Sequence, residues 1–304
     1  MSAHIGKSST AEDVLALQPS DGVLCNKVVI VTGGNTGIGL ETVRTLANAG
    51  ARVIMTSRNV SLGEKALKSI ETPDMKGKVT VHELDLSDLN SIKAFTDTVT
   101  TVDILICNAG IVGGPLSYTK QGFEQNIGVN HVGHFYLTQL LLPKLKASGT
   151  VKTPSRVVVV ASLNYEIGGI DLEDLNYENR KYNPIIAYSN SKLATMLFAR
   201  QLAHRMKAEN APVSVVSLHP GLINTGLTRN LGLAGYITRF LARMTGKSIP
   251  QGAATSVYCA TASGIPSGSY WEDCCQKEPK PNALDDEMAR KLWEKTEELI
   301  ASKT

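Results

Sequence analysis

The amino-acid sequence predicts an α/β protein built on a doubly wound, seven-stranded, mostly parallel sheet with helices on both faces. Three observations carry that expectation. From Lys27 onward, apolar β-branched runs alternate with segments of helical period, as strands buried on both faces and their crossover helices require. The first run, Val28-Val29-Ile30-Val31, meets a glycine-rich turn, Thr32-Gly33-Gly34-Asn35-Thr36-Gly37-Ile38-Gly39, which opens directly into a helical pattern. The fifth run holds four consecutive valines, Val157 to Val160, without the polar alternation that marks a face open to water.

Length and composition narrow the class. A chain of 304 residues with 42% hydrophobic content can bury a large core, and an α/β fold of this size is commonly one domain. Its 31 basic and 28 acidic residues leave a net charge of +3 with no block of one sign, so no nucleic-acid partner is expected. Cys25, Cys107, Cys259, Cys274 and Cys275 are scattered and lack a paired C-x-x-C spacing, which speaks for reduced thiols and against a metal site. Residues 1–24 contain no continuous apolar run, so neither a signal peptide nor a transmembrane segment is expected and the protein reads as cytoplasmic. The expected organisation is an N-terminal arm over 1–24, a main domain over 25–265, and a tail over 266–304 ending in a docked helix. Within the arm, Thr10 to Leu17 suits either a short amphipathic helix on the domain surface or a frayed terminus.

Taken in order, the first strand is followed by a helix from about Ile38 to Ala49, with Gly50 as its C-cap, and by a second strand from Arg52 to Thr56. A helix over Leu62 to Ile70 comes next. Val79 to Leu84 is the third strand and ends at Asp85-Leu86, with Ser87 or Asp88 available to cap the next helix. The fourth strand, Asp103 to Cys107, closes on Asn108-Ala109-Gly110. A long helix is expected from about Lys120 to Lys146. On it His131 and His134 stand three apart, but no carboxylate accompanies them and they read as packing residues rather than metal ligands. Ser155 to Ala161, the fifth strand, carries Ser162 to the carboxyl edge of the sheet, where open α/β sheets bind ligands. The connection Asn164 to Asn183 leads into a helix containing Tyr188 and Lys192. Val213 to Leu218 is the sixth strand and runs into Pro220-Gly221 and Asn224-Thr225-Gly226. Over 233–244, Leu233, Tyr236, Ile237, Phe240, Leu241 and Met244 follow a helical period. That stripe fits a core helix, a lid over an apolar substrate or a membrane-surface helix. Beyond Pro281, Met288, Leu292, Leu299 and Ile300 recur at roughly helical spacing behind Asp285, Asp286 and Glu287, where a helix dipole favours acids.

The chemistry gathers at three places. In the glycine-rich turn, Gly33 permits a sharp bend, Gly37 lets backbone approach a pyrophosphate, and Gly39 lets helix pack closely on strand. With Asn35, Thr36 and Ile38 at the helix start, where free N–H groups face an anion, the turn is a dinucleotide-binding candidate. At the end of the second strand, an NAD enzyme would present an acid to the ribose 2′-hydroxyl, but this chain has Ser57-Arg58. A forked, permanently charged guanidinium suits a 2′-phosphate, so NADP(H) is the expected cofactor. Tyr188 and Lys192 are four apart and share a helix face. A free tyrosine titrates near ~10, and bringing it to neutrality needs roughly 4 kcal/mol of preference for the anion. A positive charge at ~4 Å in an effective dielectric of ~20 supplies about that much, so Lys192 is sufficient to make Tyr188 a general acid/base.

Glycine turn, Asn-Ala-Gly, Asn130, strand-end Ser162, then Tyr188 and Lys192: in this order the features resemble the short-chain dehydrogenases/reductases over residues 25 to about 265. Asn130-His131-Val132-Gly133-His134-Phe135, His219-Pro220-Gly221, Gln251-Gly252-Ala253-Ala254-Thr255, Ser269-Tyr270 with Cys274-Cys275, and Ala289-Arg290-Lys291-Leu292-Trp293 are similar to the retinol-dehydrogenase-like branch. They are similar too to the oxidoreductase domain of the WW-domain-containing oxidoreductase. One departure is Leu163 after Ser162, where a second serine is common. The resemblance implies a Rossmann-type fold and NADP(H)-dependent hydride transfer on an apolar carbonyl or alcohol of retinoid, steroid or lipid-aldehyde type. It also implies residue roles. Asp85 and Leu86 would hold adenine, while Asn108, Ala109 and Gly110 would edge the cofactor. Pro220, Gly221 and Thr225 would meet the nicotinamide end, Thr225 at the carboxamide. Tyr188 would move the proton, Ser162 would polarise the reacting oxygen, and Lys192 would tune Tyr188 and bind ribose. Asn130 would bend its helix and hold a water leading to Lys192. Residues about 226–248 would form a substrate lid, and the helices bearing Asn130 and Tyr188 would pair in a homodimer. Two rival readings are a nucleotide-binding scaffold without turnover and a reductase of carbon–carbon double bonds.

Overall fold

A computed structural model describes residues 5–17, 24–75, 78–223 and 246–304. Thr225 and the apolar stripe at 233–244, with most of the expected lid, lie outside the described residues. The sheet contains β1 (Val28–Val31), β2 (Arg52–Ser57), β3 (Val79–Glu83), β4 (Ile104–Cys107), β5 (Ser155–Val160), β6 (Val213–His219), β7 (Tyr270–Glu272) and β8 (Cys275–Lys277). Their order is β3-β2-β1-β4-β5-β6-β7-β8. All neighbours are parallel except β7 and β8. Eight strands are therefore found among the described residues where seven were expected. The additional one is a three-residue, wholly exposed edge strand, joined to β7 through Asp273 and Cys274, both at positive φ. A strand so short and so exposed leaves no alternation to read.

The helices are α1 (Ala11–Ala16), α2 (Gly37–Asn48), α3 (Val60–Ile70), α4 (Leu89–Thr98), α5 (Gln125–Ile127), α6 (His134–Ser148), α7 (Pro184–Ala208), α8 (Ile249–Thr261) and α9 (Asp286–Ala301). The long helix expected from Lys120 is divided. Thr119 to Gly122 turns, with Gly122 at φ +83°, Glu124 caps α5 by accepting from Ile127 N at 2.9 Å, and a π-helical turn, Gly128–Gly133, joins α5 to α6. No described helix is long and apolar enough to cross a membrane.

Period-two alternation of the buried valines builds a core on each face of the sheet. Val157 and Val159 pack on one side with Leu105, Phe135, Leu141 and Phe198. Val158 and Val160 pack on the other with Val29, Val43, Leu46 and Val257. Each such side chain contributes about 1.5–3 kcal/mol when fully buried. α1 joins the second core through Ala11 and Val14, and its start is closed by a capping box between Thr10 and Asp13. α9 lies across α6 and α7, with Trp293 edge-on to Phe135 at 4.6 Å and stacked on Phe198 at 6.0 Å.

Candidate active site

The strand order reverses between β1 and β4, which opens a crevice at their carboxyl ends. Thr32, the first residue past β1, stitches that crevice together. Its hydroxyl accepts the N–H groups of Asn108 and Ala109, both at 2.9 Å, and the Asn108 side chain returns a hydrogen bond to Thr32 O at 2.8 Å. Gly37 opens α2 at φ +55°, a conformation that favours glycine. At Gly39 space is the constraint: a methyl group there would overlap the Gly33 carbonyl oxygen and lie 2.5 Å from Asn108 Nδ2. Gly33, at φ +61°, packs directly on Ala109. Helix α2 begins without a side-chain cap from Thr36, whereas α3, α4, α7, α8 and α9 are capped by Asn59, Asp88, Asn183, Ser248 and Asp285. Its first-turn N–H groups, beside half-buried Asn35 and Ile38, therefore have no side-chain acceptor among the described residues.

Along the crevice, Ser57 ends β2 and is buried. Its hydroxyl donates to Asn59 O at 2.9 Å and accepts from Asn59 N at 3.3 Å, so it is committed to the local turn. Arg58 is exposed. Across the sheet from Ser57 stands Glu83 of β3. Asp85 accepts from both the N–H and the hydroxyl of Ser87, at 2.9 and 2.7 Å. The cap of α4 is Asp88, which also pairs with Lys120 at 2.5 Å. Buried Leu86 brings its carbonyl against the π turn, where the lack of a side chain at Gly133 admits it.

Asn130 sits in that π turn. Its amide accepts from Ile111 N and donates to Ile111 O, both at 2.9 Å, and also donates to Ser191 Oγ of α7 at 2.9 Å. An ideal Cβ on Gly110 would lie 3.4 Å from Asn130 Oδ1 and 3.6 Å from Lys192 Nζ. The Asn-Ala-Gly stretch, Asn130 and Lys192 are thus brought together. Ser162 caps a short 3₁₀ turn, accepting from Asn164 N at 3.3 Å. Tyr188 and Lys192 are 7% and 5% exposed. Pro220 is buried, and Gly221 turns at φ +97° against the Lys247 side chain.

Burial raises the Tyr188 pKa, with the Ser162 hydroxyl pulling the other way. Burial lowers Lys192 to about 8. The Lys192 side chain donates to Val160 O at 2.9 Å and lies 5.9 Å from the Tyr188 ring centroid. Sequence reasoning passed over Thr32 as a hydrogen-bonding centre and took His134 for packing. The four-residue step from Asn130 to His134, which lays a ring against the preceding turn's carbonyl, was the available signal.

A Rossmann-type sheet with this grouping at its switch point defines the class: the family model described as short chain dehydrogenase matches residues 27–234. The chain belongs to that family, whose members are oxidoreductases that bind a nicotinamide cofactor. Within the family it belongs to the retinol-dehydrogenase-like branch. It is 42% identical to human retinol dehydrogenase 12 over 283 residues, covering 91% of this chain and 87% of that protein. With human retinol dehydrogenase 13 it shares 41% identity over 295 residues, covering 93% and 87%. A crystal structure of an uncharacterized protein from Mycobacterium paratuberculosis matches with a TM-score of 0.76 at 37% identity, over 91% of this chain and 94% of that one. The Pseudomonas aeruginosa RhlG/NADP complex shares the fold, with a TM-score of 0.64 at 24% identity over 83% and 96%.

Proposed function

We propose that the chain is an NADP(H)-dependent oxidoreductase of an apolar alcohol or carbonyl compound, retinoid-, steroid- or lipid-aldehyde-like, with Tyr188 as the general acid/base. The observation that supports this most is the convergence of Ser162, Tyr188 and Lys192 beside Asn130 and the glycine turn. The residues fit a dinucleotide. The uncapped start of α2, behind a turn with no room for a side chain at Gly39, would take the pyrophosphate. Arg58 would meet a 2′-phosphate, Asp85 and Leu86 the adenine, Asn108, Ala109 and Gly110 the cofactor's edge, and Pro220, Gly221 and Thr225 the nicotinamide end. Bound there, the cofactor supplies or accepts the hydride.

The remaining work falls to the chain's own side chains. Tyr188, its pKa raised by burial, holds its proton at neutral pH and is set to deliver it to a carbonyl oxygen. The Ser162 hydroxyl offers the same oxygen a second hydrogen bond, which strengthens as negative charge develops. Lys192 supplies a nearby ionisable cation and would bind the ribose. Near these groups in the chain, Leu163, Ile167, Ile185, Ile186 and Leu222 are exposed, Ile167 and Leu222 by 61% and 60%. Single exposed aliphatics are ordinary, but five of them beside Ser162, Tyr188 and Gly221 favour an apolar substrate. The retinol dehydrogenases to which the chain is similar are named for such an alcohol.

The test is turnover of a panel of long- and short-chain aldehydes and alcohols with NADPH and NADP, by wild type, Tyr188→Phe and Lys192→Ala. Tyr188→Phe is expected to abolish turnover while cofactor binding survives, and Lys192→Ala to damage both. A phenylalanine variant that keeps most of the wild-type rate would overturn the assignment.

A further inference from the structure

His134 is 3% exposed and its ring touches two polar groups. Nδ1 lies 3.1 Å from Asn130 O and Nε2 lies 2.9 Å from Thr32 Oγ1. The donors can be assigned by counting. A carbonyl oxygen only accepts, so Nδ1 carries the proton and Nε2 is the acceptor. Thr32 Oγ1 already accepts from Asn108 N and Ala109 N, which fills its two acceptor positions. Its own proton goes to Nε2 at 2.9 Å, since the competing Ile106 carbonyl is at 3.4 Å. Burial pushes the ring down to about 4, so this neutral tautomer persists at neutral pH.

We propose that His134 is a positioning residue for the reaction: it holds the main-chain carbonyl of Asn130 in register with the cofactor turn through Thr32. The inference rests on the function proposed above. Asn130 O lies in the π turn and accepts from His134 Nδ1 and, at 3.3 Å, from Thr195 Oγ1 of α7. Its amide grips Ile111 past β4 and Ser191 of α7. Thr32 grips Asn108 and Ala109. His134 is the bond between these two knots. Through it the glycine turn, the Asn-Ala-Gly stretch and the helix carrying Tyr188 and Lys192 are fixed relative to one another, the kind of support that keeps reacting groups within a fraction of an ångström of productive geometry.

The experiment compares wild type with His134→Leu, His134→Gln, Thr32→Val and the double variant Thr32→Val/His134→Leu. It measures NADPH dissociation constants by fluorescence titration, kcat and KM on one aldehyde, and folding by near-ultraviolet circular dichroism. His134→Leu, folded, is expected to lose about tenfold in NADPH affinity and about tenfold in kcat, the worth of one buried hydrogen bond. KM for the aldehyde should move much less. His134→Gln, whose amide can stand at the Nε2 position, should recover part of both losses. The double variant should lose less than the sum of the two single losses, because both changes cut the Thr32–His134 bond, while each also cuts contacts of its own to Asn108 and Ala109 or to Asn130. A folded His134→Leu with wild-type affinity and kcat, or fully additive losses in the double variant, would overturn the proposal. Should His134→Leu fail to fold, Thr32→Val with wild-type affinity and kcat would do so. Wild type that binds neither NADPH nor NADH would instead overturn the proposed function.

Discussion

Burial sets the protonation of the central side chains more than charge pairing does. Tyr188 is pushed up and Lys192 down to about 8, while His131 and His219 are pushed to about 3 and about 4. For the histidines the folded pKa lies below the unfolded value near ~6.5, so unfolding takes up protons in acid. Their stabilisation is complete above about 6.5 and is lost progressively as pH falls from there towards 4 and 3, where the folded state takes up the proton as well. His131→Gln, which takes up no proton, should therefore lose less stability between pH 7 and pH 4 than wild type, read from urea midpoints. Equal losses would refute the assignment. Cofactor choice also belongs at this scale. With the Ser57 hydroxyl committed to Asn59, Arg58 is the side chain proposed to meet a 2′-phosphate. A charge-assisted forked contact contributes roughly 1.5–3 kcal/mol, or about ten- to a hundredfold. Comparing kcat/KM for NADPH and NADH should show preference for NADPH, most of it erased in Arg58→Ala and shifted towards NADH in Ser57→Asp. Arg58→Ala with unchanged discrimination would return Arg58 to a solvated surface role. The spacing of Tyr188 and Lys192 was legible because helical period alone puts them on one face. The direction of the Lys192 ammonium was not, since it depends on a carbonyl, Val160 O, from a distant strand.

Among the elements, the segment from Ser117 to Ser148 illustrates what periodicity can and cannot carry. An apolar helix was readable there, but its interruption was not. A π turn adds one residue to the ladder, and here its Asn130 carbonyl accepts from the His134 ring and from Thr195 of α7, contacts that no local pattern announces. The glycines of the turn after β1 were legible because glycine is required wherever a side chain has no room, whereas the bonds of Thr32 to Asn108 and Ala109, which come from a distant strand, were not. Gly39→Ala would drive a methyl group into the Gly33 carbonyl. The expected result is a loss of about 1–3 kcal/mol of stability, together with weaker cofactor binding. Urea denaturation and cofactor titration check both, and a variant unchanged in each would show that the turn relaxes freely. For α9, Trp293→Ala should destabilise by about 3–5 kcal/mol, because the indole lies against Phe135 and Phe198 and under the Arg205 guanidinium at 4.5 Å. A loss below about 1 kcal/mol, the range of surface substitutions, would mean that α9 merely rests on its neighbours.

At the scale of the whole molecule, the switch in strand order between β1 and β4 places the crevice, and both strands were readable as apolar runs. Their adjacency was not written in either run; it came through the glycine turn and the Asn-Ala-Gly stretch, which the family keeps at one edge. The β7–β8 hairpin escaped reading because Asp273 and Cys274 adopt positive φ without the glycine that usually marks such a turn. The placement of α9 has a further consequence. Every described strand, the π turn that carries Asn130, α6 and α7 precede it in the chain. Translation delivers them first, so the side of α6 and α7 bearing Phe135 and Phe198 waits for its cover until Trp293 has left the ribosome. The nascent chain thus presents an aromatic flank to solvent or to a chaperone while α6 and α7 are already complete.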